Sequence, residues 1–209
     1  MDFEAFQRKP LMGILRGIQL DDLAPVVEHA IEAGLETLEI TMNTTGASEL
    51  IKHARDIADG RLVLGAGTVL DTVMLDAALE AGATFVVQPT FVEEVASVCV
   101  QRKIPVFPGG LTPTEVYTAW RAGAAMVKVF PAQVFGPGYF RELKGPFDDV
   151  LLLACGGVSS KTLAAYSRAG ADAFAFGASV FREEWITRKE YGLIGNAIRE
   201  LVAAHNEVV

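Results

Sequence analysis

The sequence predicts a (β/α)₈ barrel, an α/β fold preceded by one short N-terminal helix and occupying residues 1–209 as a single domain. Three observations predict it. Short apolar, β-prone runs alternate strictly with helical patterns. The runs lack the in-out alternation of a half-exposed sheet, as strands of a parallel sheet covered on both faces should. The alternation repeats eight times, which favours a closed barrel over an open doubly wound sheet.

In order, a short amphipathic N-terminal helix is followed by strand-like runs at Leu11 to Leu15, Thr37 to Thr41, Leu62 to Ala66, Thr84 to Val87, Ile104 to Phe107, Met126 to Phe130, Leu151 to Cys155 and Ala173 to Phe176. The helical patterns between and after them are Leu23 to Ala33, Ala47 to Ala58, Val73 to Ala81, Val92 to Gln101, Thr114 to Arg121, Tyr139 to Leu143, Lys161 to Arg168 and Gly192 to His205. Ala33-Gly34, Ala81-Gly82, Ala122-Gly123 and Ala169-Gly170 each close a helical pattern ahead of a strand, where a glycine C-cap belongs. Thr112-Pro113-Thr114-Glu115 is a capping box with proline at the first helical position, and Thr90 with Glu93 predicts another. No linker, low-complexity tract or composition shift divides the chain.

With 51% hydrophobic residues, 21% charged residues and a formal charge of -8, the chain suits one well-filled core and carries no basic footprint for nucleic acid or an anionic membrane. An anionic ligand therefore needs a local positive site. The N-terminus lacks the pattern of a signal peptide, and no run approaches the roughly 20 apolar residues of a membrane span. Two cysteines, Cys99 and Cys155, are too few for a disulfide framework or a zinc cluster. These features predict a cytoplasmic protein with neither a nucleic-acid nor a membrane partner.

Barrels of this class carry their chemistry at the carboxyl ends of the strands. There stand Arg16-Gly17, Glu39, Gly65-Ala66-Gly67-Thr68, Gln88-Pro89-Thr90, Pro108-Gly109-Gly110, Lys128, Cys155-Gly156-Gly157 and Gly177-Ala178-Ser179. Lys128 is the anomaly, an ammonium-bearing side chain inside Met126-Val127-Lys128-Val129-Phe130. Burying it charged and unpaired costs several kcal/mol, and desolvation favours the neutral amine, a nucleophile that attacks carbonyls to form a Schiff base. A lysine running its head out to solvent, or paired to a carboxylate for structure alone, reads the same way in the sequence. Glu39, enclosed by Leu38 and Ile40, is the matching acid four strands earlier. A buried carboxylate beside a neutral amine can shuttle protons, and a purely structural ion pair is the alternative.

Glycines and hydroxyls ahead of helix starts in the seventh and eighth loops, at Gly156, Gly157, Gly177 and Ser179, suit a phosphate. Arg16 offers a planar fork for a carboxylate or phosphate, or a salt bridge to a loop acid. Thr68 offers a hydroxyl and an N–H to the same anion, or helps Asp71 to cap the next helix. Asn43, in a loop that also reads as a glycosylation sequon, and Pro89 are candidate substrate contacts. His29, His53 and His205 all fall in helical patterns, so the mouth lacks the acid and imidazole set a metal-dependent lyase needs, and neither metal nor cofactor is expected.

Ile14-Leu15-Arg16-Gly17, Leu38-Glu39-Ile40-Thr41, Gly65-Ala66-Gly67-Thr68-Val69-Leu70, Val127-Lys128-Val129-Phe130-Pro131-Ala132 and Gly156-Gly157-Val158, in this order over almost the whole chain, resemble the 2-keto-3-deoxy-6-phosphogluconate/6-phosphogalactonate aldolase family. The resemblance implies a class I, Schiff-base aldolase, trimeric and metal-free, whose ligands are pyruvate and a 2-keto-3-deoxy sugar acid phosphate. It makes Lys128 the Schiff-base lysine, Glu39 the general acid/base, Arg16 and Thr68 the contacts of the pyruvyl carboxylate, and Gly156, Gly157, Gly177 and Ser179 the phosphate site. Asn43, where the gluconate-type enzymes usually have arginine, Cys155, where they tend to have threonine, and Phe135-Gly136-Pro137-Gly138-Tyr139 all lean toward the galactonate type. A phosphosugar isomerase, decarboxylase or synthase of the same barrel form, and a ligand-binding barrel without turnover, are the rival expectations.

Overall fold

The first strand, β1 (Leu11–Leu15), lies at the middle of a nine-stranded sheet in which every pairing is parallel. This computed structural model describes residues 1–208. Helix α1 (Phe3–Arg8) precedes β1, and α2 (Leu20–Glu32), β2 (Thr37–Thr41), α3 (Ala47–Ala58), β3 (Val63–Gly67), α4 (Thr72–Glu80), β4 (Val86–Val87) and α5 (Glu93–Gln101) follow it. Next come β5 (Val106–Phe107), β6 (Gly109–Gly110), α6 (Pro113–Arg121), β7 (Val127–Val129), a 3₁₀ turn at Ala132–Val134, α7 (Gly138–Lys144) and β8 (Leu152–Cys155). The chain ends through α8 (Leu163–Arg168), β9 (Ala173–Phe176), α9 (Glu183–Thr187) and α10 (Tyr191–Asn206).

The strand order is β5-β4-β3-β2-β1-β9-β8-β7-β6. Its two ends, β5 and β6, are consecutive pieces of one run interrupted at Pro108, which has no N–H to give to a ladder. Because both ends belong to one stretch of chain, the sheet closes on itself. The predicted (β/α)₈ barrel is therefore the fold, with its fifth strand in two pieces.

Local chemistry explains most element ends. Gly34, Gly82, Gly123 and Gly170, each just past a helix, have φ between +87° and +101°, a region glycine enters without steric cost. The capping box at Thr112 and Glu115 forms, and Asp71 caps α4 by accepting from Met74 N at 2.7 Å. The predicted box at Thr90 does not form. Val92 is the N-cap of α5 without a side-chain cap, and Gln88, fully buried, instead bonds the Val92 carbonyl and N–H through its amide. The third to seventh strands also begin later than their apolar runs. Thr84, for example, reaches the Leu64 carbonyl through both its N–H and its hydroxyl before β4 starts. Helix α9 was not predicted. It buries no residue, so its sequence has no apolar stripe to betray it.

Two apolar layers result. One lies between the strands and the surrounding helices and holds Leu38, Ile40, Val127 and Val129. The other fills the barrel itself with Met12, Phe85, Val87, Phe107, Met126 and Leu153, and α1 adds Phe6 from below. Phe107 stands edge-on to Phe85 and Phe6, with ring centroids 5.8 and 5.7 Å away. The amino-terminal half of the barrel is thus plugged with aromatic rings, and what opens to solvent is the carboxyl-terminal mouth.

Candidate active site

Side-chain alternation along two strands places the central pair. In β7, Val127 and Val129 face the helices and Lys128 turns inward with Met126 beneath it. In β2, Leu38 and Ile40 face the helices, so Glu39 also turns into the barrel. Both polar groups are buried, Lys128 at 6% and Glu39 at 1% exposure. The outward-running lysine considered from sequence is therefore excluded. Burial pushes the Glu39 carboxyl above the usual carboxylate range, against the opposing pull of the Lys128 and Arg16 charges. Glu39 Oε2 has no hydrogen-bond partner among the described residues.

Glycines make room for these groups. A Cβ on Gly67 would overlap Glu39 Oε1 and stand 2.7 Å from Cδ. Gly109, the register partner of Lys128, packs so tightly that a Cβ would overlap the Pro89 carbonyl. Lys128 Nζ lies over the Phe130 ring, 5.3 Å from its centroid. Beside it, the Cys155 thiol is pushed up by burial, a rise that the nearby Lys128 charge opposes.

The mouth above is a cavity of about 960 Å³. Arg16, Pro89, Lys128, Gly156, Gly157, Gly177 and Ser179 of the predicted site all line it, so the structure brings together the lysine, the cation and the glycine-rich loops. Glu39, almost fully buried, is not on its wall. Asn43 and Thr68 are not on its wall. Asn43 is exposed on a loop that is tied to the Arg16-Gly17 turn, because the Thr44 hydroxyl accepts from Gly17 N at 3.0 Å and pairs with the Thr41 hydroxyl at 3.0 Å. Thr68 sits at the end of β3 with φ +56°, a left-handed conformation that costs a non-glycine residue free energy. Arg16 is exposed and belongs to none of the salt bridges among the described residues, which removes the loop-acid alternative.

At the other end, Gly156 and Gly157, both on the cavity wall, have φ of +96° and +77°. The backbone N–H groups of Gly156, Gly157, Ala178 and Ser179 donate to no acceptor among the described residues. Unspent donors facing a concave surface suit an anion. The Ser179 hydroxyl is itself engaged, donating to the Val158 carbonyl at 2.7 Å and locking the seventh loop to the eighth. Sequence reasoning missed Phe130, Gln133, Phe181, Arg182, Glu183 and Glu184 on the cavity wall. Phe130 and Gln133 follow Lys128 directly, so their place in the sixth loop was a usable signal. The others belong to the unpredicted α9 region.

The family model for KDPG and KHG aldolase matches residues 3–197. The 2-dehydro-3-deoxy-6-phosphogalactonate aldolase of Escherichia coli (strain K12) is 36% identical over 174 residues, covering 83% of this chain and 85% of that protein. A solved structure described as native KDPGal superposes with a TM-score of 0.89 over 95% of both chains, at 32% identity. The 2-keto-3-deoxy-6-phosphogluconate aldolase of Zymomonas mobilis ZM4, solved with 3-phosphoglycerate, superposes with a TM-score of 0.88 over 100% of this chain and 98% of that one, at 26% identity. With the family model matching most of its length and a relative 36% identical over 83% of the chain, the chain belongs to the KDPG and KHG aldolase family.

Proposed function

We propose that this aldehyde-lyase cleaves 2-keto-3-deoxy-6-phosphogalactonate reversibly to pyruvate and D-glyceraldehyde 3-phosphate, with Lys128 as the Schiff-base nucleophile. The observation that carries the reading is Lys128 itself, buried in a barrel strand yet opening onto the cavity, with its charge felt by the buried acid Glu39. Class I aldolase chemistry on the phosphogalactonate or phosphogluconate agrees with the relatives. The choice of the galactonate epimer rests on Asn43, on Cys155 and on the similarity to the galactonate enzyme. A homotrimer in the cytoplasm, built from one barrel domain, completes the reading on the strength of the resemblance.

In the mechanism, the neutral Lys128 amine adds to the C2 ketone, and the carbinolamine takes up a proton from solvent and loses water to give an iminium. Glu39 as carboxylate accepts the C4 hydroxyl proton, directly or through a water. The C3–C4 bond then breaks, its electron pair flows into the iminium to form an enamine, and the aldehyde leaves. The Glu39 carboxyl returns its proton to C3, and water hydrolyses the iminium to pyruvate and free Lys128. Its raised affinity for protons brings Glu39 nearer the working pH, where a group serves best as both base and acid. Arg16 at the carboxylate end and the free N–H groups of Gly156, Gly157 and Ser179 at the phosphate end hold the substrate in register; the part of Thr68 in holding the carboxylate rests on the family resemblance alone, since it is not on the cavity wall. Positioning of this kind can supply several kcal/mol of the barrier.

Incubation with pyruvate and sodium borohydride tests the scheme. The expected result is a mass increase localised to Lys128 and lost in Lys128→Ala; an unmodified lysine, or cleavage by Lys128→Ala, would overturn it. Glu39→Gln is expected to lower turnover by about 10²- to 10⁴-fold while the imine still forms. Because burial raises the Glu39 pKa, wild-type turnover should begin to fall on acidification at a higher pH than an ordinary glutamate would give. Side-by-side cleavage of the two epimers decides C4 preference.

A further inference from the structure

The scheme above leaves one cation on the cavity wall without a task. The charged groups lining the cavity are Arg16, Lys128, Arg182, Glu183 and Glu184. Arg16 faces the substrate carboxylate and Lys128 becomes the iminium, so both are committed at the pyruvyl end. At the other end the substrate brings a phosphate carrying more than one negative charge toward a wall that holds two glutamates. Backbone N–H groups alone give that charge partial dipoles, not a counter-charge. Arg182, three residues past Ser179 in the chain, is the only full positive charge on that part of the wall among the described residues.

Its present contacts leave it available. The guanidinium stacks over Trp185 at 4.6 Å, and Trp185 is packed against the core, so the plane of the fork is held while its N–H donors are not. Its nearest acid is Glu184, 3.6 Å from Nη1 in a half-exposed pair, too long for a hydrogen bond. Side chains in such exposed pairs are weakly held and readily exchange partners. The main chain beneath is fixed, with Arg182 N donating to the Val180 carbonyl and Trp185 N to the Arg182 carbonyl, both at 3.0 Å.

We infer that Arg182 is the residue that makes the enzyme select phosphorylated 2-keto-3-deoxy acids: its guanidinium leaves Glu184 and clamps the phosphoryl oxygens, while Glu184 competes for it when the site is empty. This rests on the aldolase reading of the same cavity. Arg182 is then a specificity residue for the distal end of the substrate, with no part in the chemistry at C2 to C4.

The test compares a 6-phosphorylated 2-keto-3-deoxy acid with its unphosphorylated analogue. Arg182→Gln is expected to lower the ratio of their kcat/KM values about 10- to 100-fold, mainly through KM for the phosphorylated substrate, the effect of losing a charge-assisted bidentate contact. Arg182→Lys should recover part of the ratio, and Glu184→Gln should raise it by releasing the arginine. Calorimetric titration with inorganic phosphate gives a readout independent of turnover, with binding weakened in Arg182→Gln and strengthened in Glu184→Gln. An unchanged ratio together with unchanged phosphate binding overturns the inference, as does an equal loss on both substrates. If the wild type cleaves neither acid, the aldolase reading falls, and the phosphate titration still decides the role of Arg182.

Discussion

At the scale of single residues, the site is organised by a glycine as much as by its acid and amine. The Glu39 carboxyl occupies the volume that a side chain on Gly67 would need. Glycine at this place is therefore required by close approach, and not by backbone conformation. Gly67→Ala is expected to displace the carboxyl from the Lys128 side of the barrel and lower turnover about 100-fold, the typical penalty for a misplacement of about 1 Å. Overpacking should also destabilise the fold by roughly 1–3 kcal/mol. Borohydride trapping on Lys128 should survive the change, which would assign the damage to proton transfer; wild-type turnover in the variant would refute the account. Lys128 and Glu39 were legible in the sequence because each interrupts an apolar run, where a charge is expensive and so needs a reason. Gly67 was visible only as part of Gly-Ala-Gly, and its reason lies in the neighbouring strand β2, some 28 positions earlier in the chain, where Glu39 stands. Arg182 was hidden for the opposite cause, since an arginine beside Glu183 and Glu184 looks like any solvated surface.

Elements were legible to the degree that local chemistry defines them. The capping box of α6 and the glycine C-caps are complete within a few residues of sequence, and the structure has them. The ends of the strands depend on neighbours far away in the chain, as when Thr84 spends both its donors on Leu64 before β4 begins. Helix α10 combines both kinds. Its stripe Ile194, Ile198 and Leu201 is apolar at helical spacing, but the stripe ends on a buried histidine, 4% exposed, whose Nδ1 has no hydrogen-bond partner among the described residues. His205 stands beside the Phe174 ring, centroids 6.3 Å apart, and burial holds its pKa below the ordinary histidine value, with the Lys9 charge adding to the effect and Asn206 opposing it. The unfolded chain therefore binds this proton more readily than the folded one, and stability falls as pH drops below about 6.5, by at most about 1.4 kcal/mol per pH unit for one group. His205→Phe should flatten that part of the curve. Denaturant melts of both proteins between pH 5 and 8 check it, and parallel curves would mean that other groups carry the acid sensitivity.

For the whole molecule, eight repeats of one pattern made the barrel legible, because each βα unit repeats the same demand for cover on both faces of its strand and only closure meets all of them. What repetition could not reveal is how the two ends of the barrel divide the work. The amino-terminal end is filled by Phe6, Met12, Phe85, Phe107 and Met126, and the carboxyl-terminal end holds Lys128, Glu39 and the open cavity. Stability and chemistry are thus separated along the barrel axis, and α1 serves only the first. Phe6→Ala removes the ring that α1 inserts against Phe107. It should cost about 3–5 kcal/mol by the usual penalty for an emptied aromatic site, or roughly 10 °C in melting temperature for a chain of this size. Turnover measured well below the new melting temperature should remain within about twofold of wild type, since Phe6 sits one layer of rings below the reacting groups and touches none of the cavity wall. A loss of turnover in proportion to the loss of stability would show instead that the aromatic plug sets the height of Lys128 and Glu39, and the two ends of the barrel would have to be treated as one mechanical unit.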